Sequence, residues 1–307
     1  MTPIFTMLVG LPGSGKSVEA QKISEQTNAT IFSSDSLREE LFGDVNHQAD
    51  NTKLFEELHR RIKTCLNEGK SAIYDACNIS YKRRMAFLSE LKNIPCEKIC
   101  VLMATPYEEC LKRNAEREHK IPEHVIEKMY KNFDVPYWYE GWSQIAVMFG
   151  DYEATCGTPY TFVSNTKNYN QDNSHHSMSL GDHCNTVCKT IRTDSSDYAS
   201  NYFTIRIAAM LHDCGKCFTK TFTNAKGELT SEAHYYSHEK VGSYDSLFYE
   251  KYGCNHIRVA TLIRWHMQPY FWERENNEKM HNKYRKFWGE ELYNDIMALH
   301  EADKSAH

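Results

Sequence analysis

Eight residues near the start, Gly10-Leu11-Pro12-Gly13-Ser14-Gly15-Lys16-Ser17, have the types and spacing to cradle phosphate. Gly10, Gly13 and Gly15 let the backbone wrap closely, so that N–H groups, with Ser14 among them, converge on phosphate oxygens. A helix opening at this point adds positive potential from its N-terminus. In such a loop Lys16 reaches the β- and γ-phosphates of a nucleoside triphosphate and Ser17 ligates Mg²⁺. Far down the chain lies a second series: His183, His212-Asp213, His238, His266 and Asp303. Imidazole and carboxylate together suit Mn, Fe, Co, Ni or Zn rather than Ca, and such ions activate water. One chain holding both sets can add phosphate at one site and remove it at the other.

Further residues narrow the first chemistry. Asp35 and Arg38 follow the second expected strand in Ser33-Ser34-Asp35-Ser36-Leu37-Arg38. Asp35 is placed to deprotonate an acceptor hydroxyl, and Arg38, one turn on, to hold an acceptor phosphate by a bidentate contact. The alternative is a helix N-cap by Asp35 with a solvated Arg38. Asp75, ending the third strand, is placed to assist Mg²⁺. The run Lys82-Arg83-Arg84 reads equally well as a solvated helix face. Arg113 and Arg117, four apart on an expected helix, share a face and suit a lid over the transferring phosphoryl group.

In the second series His212 and Asp213 point to one metal together with His183 and Asp303, while His238 and His266 are candidates for a second. His234 reads as a cover for the substrate or a neighbour of the ligands. His175 and His176 precede the first ligand and would shape its entry, and His119, His124 and His281 read as surface residues. Cys214-Gly215-Lys216-Cys217 has redox or zinc spacing, but no second pair matches it, so reduced thiols are expected.

These residues need a scaffold. Residues 5–9, 30–32, 71–74, 98–103 and 145–149 read as strands, alternating with amphipathic stretches at 16–27, 51–67 and 82–91. That alternation implies an α/β domain, a parallel sheet with helices on both faces. The polar stretch 166–174 reads as a linker between domains at 1–165 and 175–307. Beyond it, 202–211, 244–252, 256–265 and 291–299 have helical spacing and strand signals fade, so an all-α domain is expected. The 307 residues fit two domains, and 41% hydrophobic with 25% charged residues is ordinary for a soluble fold. The net charge of −5 argues against a broad basic surface coating nucleic acid, though not against a small basic pocket for an end. No apolar run is long enough to span a bilayer and no leader precedes the first strand, so a cytoplasmic location without membrane contact is expected.

The phosphate loop, Asp35-x-x-Arg38, Asp75-x-x-Asn78, Arg83-Arg84, Lys112-Arg113-Asn114-x-x-Arg117 and 122–130 resemble, in order and spacing, the 5′-kinase domain of phage-type polynucleotide kinases over roughly residues 1–150. The resemblance implies ATP and Mg²⁺ as cofactors, Asp35 as general base, Arg38 on the acceptor's 3′-phosphate and Arg117 on donor phosphates. Those relatives carry an aspartate-nucleophile phosphatase with Asp-x-Asp-x-Thr, a motif this chain lacks. Its second half, about 173–307, instead resembles the two-metal members of the HD phosphohydrolase superfamily. That resemblance implies phosphoester hydrolysis by metal-activated water, with Lys216 on substrate phosphate. Together they imply an end-healing enzyme that phosphorylates 5′-hydroxyl ends and clears 2′,3′-cyclic, 2′- or 3′-phosphate. Its partners are nucleic-acid ends, RNA in particular, and, since no Lys-x-Asp-Gly motif occurs, a separate RNA ligase. The alternatives are a small-molecule or nucleoside kinase fused to an HD nucleotide hydrolase, and a regulator in which ATP binding gates the HD site.

Overall fold

The computed structural model describes all residues except 1, 46, 48, 150–155, 175–176, 192–198, 251–252, 275–276 and 307. His175 and His176 therefore lie outside the described residues. The chain divides into two compact units, Met1–Tyr130 with Pro136–Glu153, and Lys131–Val135 with Ala154–His307. No described helix is long and apolar enough to cross a membrane.

The first unit is a five-stranded parallel sheet of β1 (Ile4–Val9), β2 (Thr30–Ser33), β3 (Ala72–Asp75), β4 (Glu97–Met103) and β5 (Gln144–Met148), in the order β2-β3-β1-β4-β5. The central β1 is buried from Phe5 to Val9, the near-continuous apolar run that a strand covered on both faces requires. Around the sheet run α1 (Lys16–Thr27), α2 (Ser34–Phe42), α3 (Asn51–Asn67), α4 (Tyr81–Glu90), α5 (Tyr107–Ala115) and α6 (Glu123–Lys131). Helix α3 shows why they dock: Leu54, Leu58, Ile62 and Cys65 recur at helical spacing and are all buried. Neighbouring strands end level, since Ser33 pairs with Asp75 and Val9 with Leu102. This gathers Gly10, Asp35 and Asp75 at the carboxyl edge of the sheet, where open α/β sheets take ligands.

Arg84, in a run for which a solvated helix face is one of two readings, is fully buried. Its guanidinium donates to both carboxylate oxygens of Glu140, at 2.8 and 2.6 Å, and to the Asn78 carbonyl at 3.0 Å. Trp142 Nε1 donates to the same carboxylate at 3.0 Å. Asn78, at φ 49°, donates in turn to the Leu8 carbonyl. Arg84→Met leaves that carboxylate buried without its cation and is expected to lower stability by about 3–5 kcal/mol. A urea melt read through loss of the phosphate-loop unit checks this; an unshifted midpoint would reject it.

The second unit is helical: α7 (Pro159–Asn165), α8 (Leu180–Thr190), α9 (Ala199–Leu211), α10 (Lys216–Thr219), α11 (His238–Asp245), α12 (His256–Trp265), α13 (Gln268–Arg274), α14 (Glu278–Trp288) and α15 (Glu290–Lys304). It departs from an all-helical reading in one place, a short antiparallel hairpin of β6 (Thr221–Thr223) and β7 (Leu229–His234). The helix expected over 244–252 stops early: α11 ends at Asp245, one 3-10 turn covers Ser246–Phe248, and Tyr249 is extended. Helix α7 packs on α8 and α9, so the polar stretch 166–174 lies within this unit rather than between the two. His281, expected at the surface, is half-buried, and its Nδ1 pairs with the Tyr293 hydroxyl at 2.8 Å beside Trp272.

Candidate active sites

The phosphate loop follows β1 directly and opens α1. Gly13 and Gly15 sit at φ 82° and 89°, the left-handed region that side chains avoid. A Cβ on Gly13 would also stand 2.5 Å from the Cys110 carbonyl oxygen. The loop is pinned by Gly10 N donating to Cys77 O, Ser14 N to Leu11 O, and Thr105 Oγ1 to Ser14 O. Lys16 lies almost buried along it, with Nζ 2.7 Å from the Leu11 carbonyl and 3.5 Å from Ser14 Oγ. Ser17 Oγ donates to Asp75 Oδ2 at 2.7 Å. Burial raises the Asp75 carboxyl above its ordinary value, against the lowering by the Ser17 hydroxyl and the Lys16 charge. A hydroxyl and a carboxylate joined in this way are the oxygen donors Mg²⁺ takes beside a triphosphate.

Asp35 occupies the first turn of α2, but the cap is Ser33, whose Oγ accepts from Ser36 N. Its carboxylate is therefore not used as a cap. It faces Arg38 Nη1 at 3.2 Å and Arg117 Nη2 at 3.8 Å, and it is open to solvent. Arg38 is buried rather than solvated and also donates to Asn51 Oδ1 at 3.1 Å. Arg113 comes within 3.9 Å of where a Gly15 side chain would start and is held by Glu109 at 2.8 Å. Arg113 and Arg117 do not share a helix face, because α5 ends at Ala115. Asn114 closes the turn beyond it by exchanging hydrogen bonds with the Ile121 backbone, and that turn carries Arg117.

The second site is a buried nest of imidazoles around Asp213. His183 comes from α8, His212 and Asp213 from the turn after α9, His238 from the start of α11, His266 from the end of α12 and Asp303 from α15. His183 Nε2 lies 3.2 Å from His212 Nε2, 3.0 Å from Asp303 Oδ1 and 3.6 Å from Asp213 Oδ2. On the other side of Asp213, Oδ1 lies 3.4 Å from His238 Nε2 and 3.9 Å from His266 Nε2, and these two nitrogens are 3.3 Å apart. Two ligand groups thus form, His183/His212/Asp213 and Asp213/His238/His266, with one carboxylate in both. His212, His238 and His266 each turn Nδ1 to a backbone carbonyl three residues back, at 2.8, 2.8 and 2.6 Å. That bond fixes each ring and leaves Nε2 for a metal. The donor set fits one or two transition-metal ions.

The negative charge of the nest sits on Asp213: against the effect of burial, its carboxylate, with that of Asp303, holds His212 well above the ordinary imidazole range. Burial opposes charge on Asp213, but Lys216 and His212 hold its carboxyl well below the ordinary range. Burial pushes His266 down to about 3, with His212 and His238 adding to the effect, so its ring is neutral and able to ligate. Gly215 permits the convergence, since a Cβ there would stand 2.1 Å from the His238 carbonyl oxygen. Lys216 Nζ is held 2.8 Å from Asp213 Oδ2 and 2.8 Å from Gln171 Oε1. Gln171 belongs to the stretch expected as linker. Tyr270 donates to Asp303 Oδ2 at 3.1 Å. Neither Gln171 nor Tyr270 belongs to a motif, and nothing in their local sequence signals the role. Cys214 and Cys217 are not bridged. Burial raises both thiols, Cys217 to about 11, so neither is a ready thiolate.

Two family matches divide the chain in the same way. Residues 5–136 match the AAA domain family and residues 174–306 the HD domain family. Among characterised proteins, L-seryl-tRNA(Sec) kinase of Methanococcus maripaludis is 28% identical over 138 residues, which are 43% of this chain and 53% of that protein. The chain thus spans about half the length of that relative. Among solved structures, Kti12 of Chaetomium thermophilum in complex with ADP-AlF3 is 18% identical, with 48% of this chain and 91% of that chain covered and a TM-score of 0.41. The Pnkp1/Rnl/Hen1 RNA repair complex is 24% identical, with 42% and 43% covered and a TM-score of 0.37. The chain thus joins a region similar to the AAA domain family, built around a phosphate loop, to a region similar to the HD domain family.

Proposed function

We propose that this P-loop and HD chain heals nucleic-acid ends, phosphorylating a 5′-hydroxyl with ATP at the first site and removing a 2′,3′-cyclic, 2′- or 3′-phosphate at the second. The observation that carries the reading is the joining, in one chain, of a phosphate loop and a buried His/Asp nest able to hold metal. Cleavage through a ribose 2′-OH leaves a 5′-hydroxyl and a 3′-terminal phosphate, and both must be changed before a ligase can act. The likeness to a kinase of L-seryl-tRNA(Sec) supports an RNA-borne hydroxyl as acceptor. The separate ligase remains part of the proposal.

At the kinase site Asp35 would take the acceptor's proton, and Arg38, buried beside it, would hold the acceptor's phosphate. Lys16, Arg113 and Arg117 would neutralise charge on the transferring phosphoryl group. At the HD site His183, His212, Asp213, His238, His266 and Asp303 would hold the metals, and Lys216 would meet a phosphate oxygen. Metals bound there supply Lewis-acid polarisation and lower the pKa of water toward neutrality. A second reading, a nucleoside or small-molecule kinase fused to an HD nucleotide hydrolase, is favoured by the net charge of −5.

The test is one short RNA bearing a 5′-hydroxyl and a 2′,3′-cyclic phosphate, incubated with ATP, Mg²⁺ and Mn²⁺ and read by mass spectrometry. End healing predicts gain of a 5′-phosphate and loss of the 3′-terminal phosphate in separable steps. An RNA untouched at both ends, with turnover of free nucleosides or nucleotides, would establish the second reading instead.

A further inference from the structure

We propose that His234 and Tyr236 form a stacking platform for the nucleobase adjoining the terminal phosphate, so that the HD site grips a base as well as a phosphoester. This rests on the end-healing reading and deepens it by naming what the second site recognises. The two rings lie nearly parallel, with centroids 5.5 Å apart and an interplanar angle of 12°. His234 is fixed from beneath by its Nε2 contact with Thr230 Oγ1 at 3.1 Å. Tyr236 remains 47% exposed, so its ring is open to a ligand. Between them Tyr235 lines the same cavity but is tied to other partners. Its hydroxyl donates to the Gln171 carbonyl, and Lys216 Nζ lies 5.3 Å from its ring centroid.

Three consecutive side chains thus line one cavity: Tyr235 braces Lys216, and its two neighbours stack on each other. Ser237, at φ 65°, then turns the chain sharply into α11, whose first residue is His238. Platform and ligand are therefore fixed by one turn. Both rings line the same cavity of about 530 Å³ as Asp213, Lys216 and Asp303, a size that takes a nucleotide. A stacked aromatic pair suits a nucleobase, because every base has a π-face and stacking on protein aromatics is sequence-tolerant.

Stacking on one aromatic contributes about 5- to 150-fold in binding. The experiment compares two oligonucleotides ending in a 2′,3′-cyclic phosphate, one with its terminal base and one with an abasic terminal ribose, using the full chain with Mn²⁺. The wild type is expected to favour the base-bearing end by about 5- to 150-fold in kcat/KM, mainly through KM. Tyr236→Leu should bring that ratio close to one, and Tyr236→Phe should retain it. A wild type without base preference, or a Leu variant that weakens both substrates equally, would overturn the platform and leave end healing standing. A wild type that processes neither oligonucleotide yet hydrolyses mononucleotides would overturn end healing itself.

Discussion

Asp213→Asn is expected to strip metal from the HD domain and to end phosphoester hydrolysis while 5′ phosphorylation continues. Asp213 is the one residue common to both ligand groups, with Oδ2 facing His183 and His212 and Oδ1 facing His238 and His266. Asparagine keeps the shape but offers one oxygen and no charge, so both metals lose the carboxylate they share and only the one beside Asp303 keeps an anionic ligand. Changing a mere outer partner of a metal ligand already costs about 10–100-fold, and loss of a shared ligand should exceed that range. The substitution also removes the carboxylate 2.8 Å from the buried Lys216 ammonium, so the domain will lose stability as well. His183→Ala separates the effects, since it leaves the Asp213–Lys216 pair in place. Metal analysis together with a thermal melt reads both variants. An Asp213→Asn protein with unchanged metal content would remove Asp213 from the ligand set.

That site shows how far a sequence can be read and where reading stops. His183, His212, Asp213, His238, His266 and Asp303 carry chemistry in their residue types, and the structure brings all six together. Their supports carry none. Gln171 reaches Lys216 across 45 residues and Tyr270 reaches Asp303 across 33. Such contacts depend on how helices pack, and nothing in the local pattern of a polar stretch announces them. Secondary structure follows the same rule. Helices α1, α3 and α12 begin and end where spacing places them. The parallel strands fall within a residue of expectation, and the central ones, β1 and β3, are buried along almost their whole length, as a twice-covered strand requires. The β6–β7 hairpin escaped because its strands are short, polar and largely exposed, with no apolar alternation to reveal them. Arg117 was placed on a helix by spacing alone, but Asn114 draws the chain into a turn through Ile121. The burial of Arg84 is illegible in the sequence for a related reason: its partner Glu140 lies 56 residues away.

Lys16→Ala should reduce 5′ phosphorylation by about 10²- to 10³-fold, the usual effect of deleting one group that stabilises transition-state charge, and leave hydrolysis at the HD site intact. The loop's shape does not depend on this side chain. Gly13 and Gly15 keep their left-handed conformations, and the bonds from Gly10 to Cys77, Ser14 to Leu11 and Thr105 to Ser14 all remain. What disappears is a single ammonium lying along the loop, 2.7 Å from the Leu11 carbonyl. Its loss also takes away one of the charges that lower the Asp75 carboxyl, so Asp75 will shift further upward and hold a cation less readily. The variant should therefore need more Mg²⁺ for whatever activity it retains, and a Mg²⁺ titration of the residual rate would show this. Hydrolysis of a cyclic-phosphate end by the same preparation is the internal control. A kinase rate within a factor of a few of wild type would take Lys16 out of the phosphate site. Loss of both activities in a protein that melts normally would mean that the two domains work as a coupled pair, with the loop's charge felt at the imidazole nest.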